Sequence, residues 1–229
     1  MGKKAKRQKI IDQKIIKGKI YTLVDAIDLL KSLPPLHFDG SIDISVHLGI
    51  DTNKSDQNVR GVIRLPYGTG RKIRVAVFAN GDHATIAKEA GADIVGFEDL
   101  ADSIKTGNIN FDILVSTLDA MRIVGQLGQI LGPRGLMPNP KMGTVTNDIA
   151  NAVKNIKNGQ ISYRADKGGI VHSTIGRISF SVAAIKENFS TFLEELKKNK
   201  PNNTKGIYLR KIVLSSTMGP GLIIEQSSF

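Results

Sequence analysis

Residues 41–50 alternate without interruption: Ile42, Ile44, Val46, Leu48 and Ile50 take every second position, with Ser41, Asp43, Ser45, His47 and Gly49 between them. Side chains on a strand point to opposite faces with a period of two, so this stretch specifies a strand buried on one face and polar on the other. Any fold of the chain must place a core against Ile42–Leu48 and leave hydroxyl, carboxylate and imidazole groups on the outside. Upstream, Leu23, Ile27 and Leu30 share one face of a helix over 23–33, with Thr22 placed as its N-cap and Pro34-Pro35 as its stop. Downstream, the polar stretch Asp51 to Gln57 reads as a turn, and Val59 to Leu65 as a second, weaker strand ending at Pro66. Strands joined in this way are expected to form a hairpin with a free polar face.

The pattern then changes. Residues 72–78 contain an apolar run through Val75, Ala76 and Val77, which suits a strand buried on both faces. Helical stretches over 83–90, 100–105, 120–131 and 148–157 alternate with short strands over 94–97 and 111–116. Gly125 and Gly128 weaken the third helix, and Thr146 or Asn147 caps the fourth. Strands alternating with helices imply a small doubly wound α/β sheet. Beyond Gly159 the β signals return. Strands over 160–165 and 169–174 flank Asp166-Lys167-Gly168 as an expected hairpin, and residues 183–198 form an amphipathic helix. Strands over 207–215 and 222–224 follow, separated by Gly219-Pro220-Gly221.

Charge divides the chain at the same places. Of the formal +11, residues 1–66 carry +5, residues 67–160 carry +1 and residues 161–229 carry +5. Two basic ends around a nearly neutral middle suggest that the ends fold together, with the middle as an insertion. The excess favours a polyanionic partner, either nucleic acid or an anionic membrane. The first twenty residues hold eight Lys/Arg, among them Lys3, Lys4, Lys6 and Arg7, as nucleic-acid-binding arms and solvated tails both do. Ile10, Ile11, Ile15 and Ile16 give that arm a small apolar face, so membrane-surface binding stands as a competing reading. No apolar run approaches the ~18 residues of a membrane span. No continuous apolar stretch follows the basic N-terminus, so a secretory signal is not expected.

Catalytic chemistry is largely missing. Cys is absent, which excludes a disulfide scaffold, a cysteine nucleophile and Cys-containing zinc sites, and fits a reducing compartment. The neutral α/β segment invites a nucleotide-dependent enzyme as the alternative function. Yet the turn after its first strand reads Ala79-Asn80-Gly81-Asp82, with one glycine and a carboxylate where a phosphate loop needs several glycines. The four histidines lie far apart, no serine stands in a nucleophile elbow, and no carboxylate pair is marked as acid and base. Neither catalytic residues, nor a metal site, nor a cofactor is expected.

Two stretches remain unusual. Gly132-Pro133-Arg134-Gly135-Leu136-Met137-Pro138-Asn139-Pro140-Lys141-Met142-Gly143-Thr144 is a stiff loop, either a functional surface or a connector. Ser215-Ser216-Thr217-Met218-Gly219-Pro220-Gly221 puts three hydroxyls and a methionine at a strand end, either an ordinary turn or a surface for phosphates, 2′-hydroxyls and base edges. Together with Gly49-Ile50-Asp51 and Ser55-Asp56-Gln57-Asn58-Val59-Arg60-Gly61, these stretches resemble the family of large-subunit ribosomal protein one, the bacterial L-one family, over essentially the whole chain.

The resemblance implies two domains: a discontinuous α+β domain from both chain ends (1–66 and 161–229) and an inserted doubly wound, Rossmann-like α/β domain (67–160). It implies a non-enzymatic, cytoplasmic component of the ribosome, monomeric when free and without membrane attachment. Such a protein binds large-subunit ribosomal RNA to form the mobile stalk beside the transfer-RNA exit site, next to other large-subunit proteins. It also represses translation by binding its own messenger. Carried over to this chain, the RNA surface comprises Phe38, Ser41, Asp43, Arg164, Lys167, Gly168, Ser215, Thr217, Met218 and Gly219, with Lys3, Lys4, Lys6 and Arg7 adding phosphate contacts. Phe38 either lies against RNA or plugs the core, and Asp43 makes sense only as an acceptor for a 2′-hydroxyl or base amine. Gly221 departs from the small polar residue expected after the Thr-Met-Gly-Pro run.

Overall fold

The strand expected over 41–50 forms over 41–48 and becomes an interior strand of a sheet. The computed structural model describes residues 6–16, 18–204 and 206–225, so Lys3, Lys4 and Lys17 of the basic arm lie outside the described residues. Two compact units appear: Met1–Gly70 with Ile161–Phe229, and Arg71–Gln160.

In the first unit the elements are α1 (Lys6–Lys14), β1 (Ile20–Tyr21), α2 (Leu23–Lys31), β2 (Ser41–Leu48) and β3 (Arg60–Arg64). From the other end of the chain come β7 (Gln160–Arg164), β8 (Ile170–Arg177), α8 (Val182–Lys198), β9 (Leu209–Ser216) and β10 (Leu222–Ile224). Five strands form one sheet in the order β1-β10-β9-β2-β8, antiparallel except for β1 beside β10. Ile42, Ile44, Val46 and Leu48 of β2 are buried in a core with Ile27 and Leu30 of α2 and Ile185, Phe189 and Phe192 of α8. Thr22 caps α2 as expected, its hydroxyl accepting the Asp25 N–H at 3.2 Å, and Ser181 caps α8 through the Ala184 N–H at 3.1 Å.

Two expected pairings are corrected. β2 does not form a hairpin with the strand over 59–65: β8 and β9 occupy both its edges, and β3 pairs with β7 in a separate two-stranded sheet. The connecting turn is fastened elsewhere. Gln57 Oε1 accepts the Asp51 N–H at 2.7 Å, and Gln57 Nε2 donates to the Asn203 carbonyl at 3.3 Å. A hydrophobic row that needs a helix layer across its whole width is better satisfied inside a five-stranded sheet than in a two-stranded ribbon. The turn at 166–168 forms, but its ladder parts after the bridge between Ala165 and Val171, β7 joining β3 and β8 joining β2.

The second unit is the expected doubly wound layer: β4 (Val75–Phe78), α3 (Asp82–Glu89), β5 (Ile94–Gly96), α4 (Glu98–Lys105), β6 (Ile113–Ser116), α5 (Met121–Gln126), α6 (Gly128–Leu131) and α7 (Ile149–Lys157). The strands are parallel in the order β5-β4-β6. Ala76 and Phe78 of β4 pack on one face, with α4, α5 and α6; Val75 and Val77 pack on the other, with α3 and α7. The helical stretch over 120–131 breaks at Leu127. α7 is capped by Asp148, whose side chain accepts the Asn151 N–H at 3.2 Å, rather than by Thr146 or Asn147. The loop over 132–144 closes on itself, Thr144 Oγ1 accepting the Asn139 N–H at 2.8 Å, and delivers Val145 to bridge Ser116 in parallel.

The first unit extends to Gly70, four residues past the boundary read at Pro66. Fully buried Asn188 of α8 explains this. Its Oδ1 accepts the Tyr67 N–H at 3.1 Å, and its Nδ2 donates to the carbonyls of Gly68 at 3.0 Å and Ile175 at 2.8 Å. Asn188→Ala leaves these backbone groups without their partner and is expected to cost about 2–4 kcal/mol in urea unfolding.

At the N-terminal edge of the parallel sheet, Asp93 Oδ2 accepts the Val75 N–H at 2.8 Å and Asp112 Oδ2 accepts the Arg74 N–H at 3.1 Å. These backbone bonds first, then Lys157 at Asp93 and the Arg74 and Arg71 side chains at Asp112, hold both carboxyls below the ordinary carboxylate range. A depressed native pKa contributes stability above the unfolded pKa that is lost as pH falls through the native value. The Asp93→Asn, Asp112→Asn double variant should therefore melt lower than the natural sequence at neutral pH. The gap should close as pH falls below the ordinary carboxylate range, as thermal melts at stepped pH would show.

Candidate nucleic-acid interface

The outer face of the five-stranded sheet is set by the register of β2. Asp43 lies between Thr174 of β8 and Ser215 of β9, Ser45 opposite His172, and His47 opposite Lys211. Thr174 Oγ1 donates to Asp43 Oδ1 at 2.6 Å, so this carboxylate is already neighboured by hydroxyls. A carboxylate has about four acceptor positions, which leaves capacity for a further donor. Ser45, His172, Thr174 and Lys211 were not singled out from the sequence. The alternation of residues 169–174 sends His172 and Thr174 outward, but only the pairing register reveals that they adjoin Ser45 and Asp43.

At one end of this face the chain closes on itself. The Ser41 N–H donates to Thr217 Oγ1 at 2.8 Å, and the Thr217 N–H donates to the Ser41 carbonyl at 3.1 Å. Phe38 precedes this junction by three residues and Met218 follows it, at 55% and 59% exposure. Two large apolar side chains are thus left open at one sheet end. Phe38 does not plug the core. Of the three hydroxyls at the end of β9, that of Ser216 turns inward and is buried, Ser215 stands beside Asp43, and Thr217 staples the two strands.

Gly219 has a steric task. Its N–H donates to the Ser216 carbonyl at 2.9 Å, and a Cβ there would collide with the Ser216 hydroxyl and come within 3.3 Å of Leu33 Cδ1. Gly219→Ala is expected to displace the 217–219 turn at a cost of about 1–3 kcal/mol. Adding Ser216→Ala should recover part of that loss, measured as a shift in the denaturation midpoint.

Arg164, Lys167 and Gly168 lie at the other end of β2, roughly 23 Å away at ~3.3 Å per residue. The described site residues therefore form two clusters rather than one, the second including Arg164 of β7, which pairs with β3 in the separate sheet. Asp166 organises the second: its Oδ1 accepts the N–H groups of Gly168 and Ile170, each at 2.8 Å. The Ile170 and Gly168 bonds, with His172 nearby, hold its carboxyl below the ordinary range. The turn borders a cleft of about 420 Å³ lined by Ile50, Thr52, Asn58, Arg164, Asp166 and Lys167.

The basic arm requires a correction. Residues 6–14 form α1, with Ile11 buried in the first unit's core and Ile15 packed against it. The apolar face assigned to a membrane is thus partly spent on the protein's own interior. Arg7, taken as a phosphate contact, instead donates from Nη1 to the carbonyls of Pro34 at 2.8 Å and Pro35 at 3.2 Å. Lys6 remains exposed.

The enzyme alternative finds little support in the geometry. Asp82 stands in the first turn of α3, beyond the single-glycine turn. A cleft of about 670 Å³ in the second unit is lined by Glu98, Asp102 and Asp119 together with Lys105 and Arg122, a mixture of both charges with no glycine among the lining residues to cradle a phosphate. Ser45 Oγ lies 2.9 Å from His172 Nδ1, and His172 Nε2 lies 3.7 Å from Asp166 Oδ2. The three groups lie on an open sheet surface and Asp166 serves its own turn, so the arrangement lacks the water-excluding site of a nucleophile triad. Among the described residues no group of three or more His, Asp or Glu could hold a metal ion, and no helix is long and apolar enough to cross a membrane.

Fold and surface together define a class: an α+β unit interrupted by a doubly wound one, with a polar sheet face and no assembled catalytic groups among the described residues. The chain belongs to the ribosomal protein L1p/L10e family, whose model matches residues 29–220. It is 60% identical to the large ribosomal subunit protein uL1 of Nitrosospira multiformis, over 100% of this chain and 99% of that protein. It is 57% identical to the uL1 protein of Methylococcus capsulatus, with the same coverage. The expectation of a non-enzyme agrees with these matches, which are all named for a ribosomal protein.

Proposed function

We propose that this chain is a structural constituent of the large ribosomal subunit that binds large-subunit ribosomal RNA through the outer sheet face and its two ends. The observation that carries this reading is the junction of Ser41 with Thr217, flanked by exposed Phe38 and Met218. Folded RNA offers 2′-hydroxyls, phosphates and splayed bases; hydroxyls and a carboxylate can pair with the first and last of these, while an aromatic ring and a methionine can pack on base or ribose faces. Arg164, Lys167 and Lys6 would supply the salt-dependent share of affinity. With Asp43 set between Thr174 and Ser215, the face presents acceptors and donors together, as recognition of 2′-hydroxyls requires.

The same surface is our proposed contact for the mobile stalk beside the transfer-RNA exit site and for a similar structure in the protein's own messenger, whose binding would repress translation. Exit-site transfer RNA and neighbouring large-subunit proteins complete the proposed partners, in the cytoplasm. Met218→Asp, which puts a charge on an exposed side chain, is expected to weaken binding to large-subunit ribosomal RNA by about tenfold or more, at ~1.4 kcal/mol per decade. Thr217→Val should do likewise, and Arg71→Ala in the second unit should leave binding near the natural level. Filter binding at fixed salt checks this; equal losses for all three would remove the assignment.

A further inference from the structure

We infer that Arg7 is a positioning residue for the sheet end that carries Phe38, an inference that rests on reading that end as the RNA interface. Between α2 and β2, residues 32–40 form no helix or strand; the Gly40 carbonyl accepts the Ile178 N–H at 2.9 Å, and other carbonyls of the segment are met by side chains. Cations supply several of the partners. Lys14 Nζ donates to the Ser32 carbonyl at 2.6 Å, and Arg7 Nη1 to the carbonyls of Pro34 and Pro35. On the far side of Phe38, Arg177 Nη1 donates to the Asp39 carbonyl at 2.7 Å, and the Ser179 hydroxyl to Asp39 Oδ2 at 2.7 Å.

Phe38 thus stands between two clamps, one at 34–35 and one at 39. Its own side chain is 55% exposed and provides little anchorage, so its neighbours must hold its place. Leu33, at the start of the same segment, borders Gly219, which ties the segment to the 217–219 turn. Arg7 is itself fixed, because Ile11, one turn further along α1, is buried in the core. Its Nε is enclosed and finds no hydrogen-bond partner among the described residues, so this edge of the guanidinium does not face outward to a phosphate. Both bonds come from Nη1, whose place is set by a planar guanidinium with its Nε edge enclosed; a lysine, a point charge on a flexible stem, lacks that fixed plane. Order imposed in the free protein reduces what binding must spend on ordering the segment.

The test uses the full-length chain and large-subunit ribosomal RNA transcribed in vitro, with filter binding across a salt series. Arg7→Ala is expected to weaken binding about tenfold, and Arg7→Lys nearly as much, with the salt slope unchanged. On a Phe38→Ala background the Arg7→Ala loss should shrink to about threefold or less, the mark of residues that act through one another. Amide exchange at Leu36, His37 and Phe38 in the free protein should quicken in both Arg7 variants. Arg7→Lys, which keeps the charge, carries the same comparison if Arg7→Ala does not fold.

The inference is overturned if Arg7→Lys binds like the natural protein while Arg7→Ala flattens the slope by about 0.7–0.9, the signature of one lost phosphate contact. Additive losses with Phe38→Ala also overturn it, and leave the interface reading standing. Full binding by Phe38→Ala removes both.

Discussion

The rest of the first unit depends on β2 lying between two strands that the chain supplies more than 120 residues later. Ile42, Ile44 and Val46 are completely enclosed only because β8 and β9 flank them and α2 and α8 cover them. Each such side chain contributes about 1.5–3 kcal/mol on burial, available only once both ends of the chain have met. The entropic cost of so large an intervening loop is modest, since doubling loop length adds only ~0.6 kcal/mol. A folded insertion between Gly70 and Ile161 is therefore compatible with a stable sheet. The same ladder composes the candidate interface, because the register that buries Ile42 and Ile44 also sets Asp43 between Thr174 and Ser215.

What was legible in the sequence was whatever short-range physics decides. Strict alternation marked β2, the run at 75–77 marked a strand buried on both faces, and Thr22 capped α2 where its spacing to Asp25 said it would. Gly91, Gly107 and Gly159, at the expected ends of three helices, adopt the positive φ that favours glycine. What was not legible was partner choice. Nothing local distinguishes a hairpin of β2 with β3 from the interior placement observed, because the competition is settled by α2 and α8, far from the turn at 51–57. The parting of β7 from β8 after one bridge has the same origin.

The candidate site divides along the same line. Phe38, Ser41, Thr217 and Met218 were named through the family resemblance, and their chain positions alone do not bring them together; the Ser41–Thr217 bonds do. Ser45 and His172 were not read as site residues because each is unremarkable in its own strand and gains meaning only from a neighbour over a hundred residues away. Arg7 illustrates the opposite case. A run of cations suggested a phosphate arm, but Ile11 and Ile15 sit at spacing that turns one face of the run toward a core, and this carried the guanidinium to the Pro34 and Pro35 carbonyls.

That outcome bears on why the ends stay basic while the middle is neutral. In the second unit cations meet carboxylates: Arg71 and Arg74 at Asp112, Lys157 at Asp93, and Lys105 at Asp102. In the first unit Lys54 and Lys198 also meet carboxylates, at Asp51 and Glu195, but Arg7, Lys14 and Arg177 donate to backbone carbonyls, as does Lys31 to that of Phe180. A carbonyl satisfies the donor without cancelling its charge, so the structural work of these side chains leaves their field intact. Holding the fold therefore does not consume the positive charge of these groups. A carboxylate at those positions would hold the segment as well and silence the field. The net charge of +5 on each end of the sequence is thus more than a count of free side chains awaiting phosphates, since part of it belongs to groups already bonded within the protein.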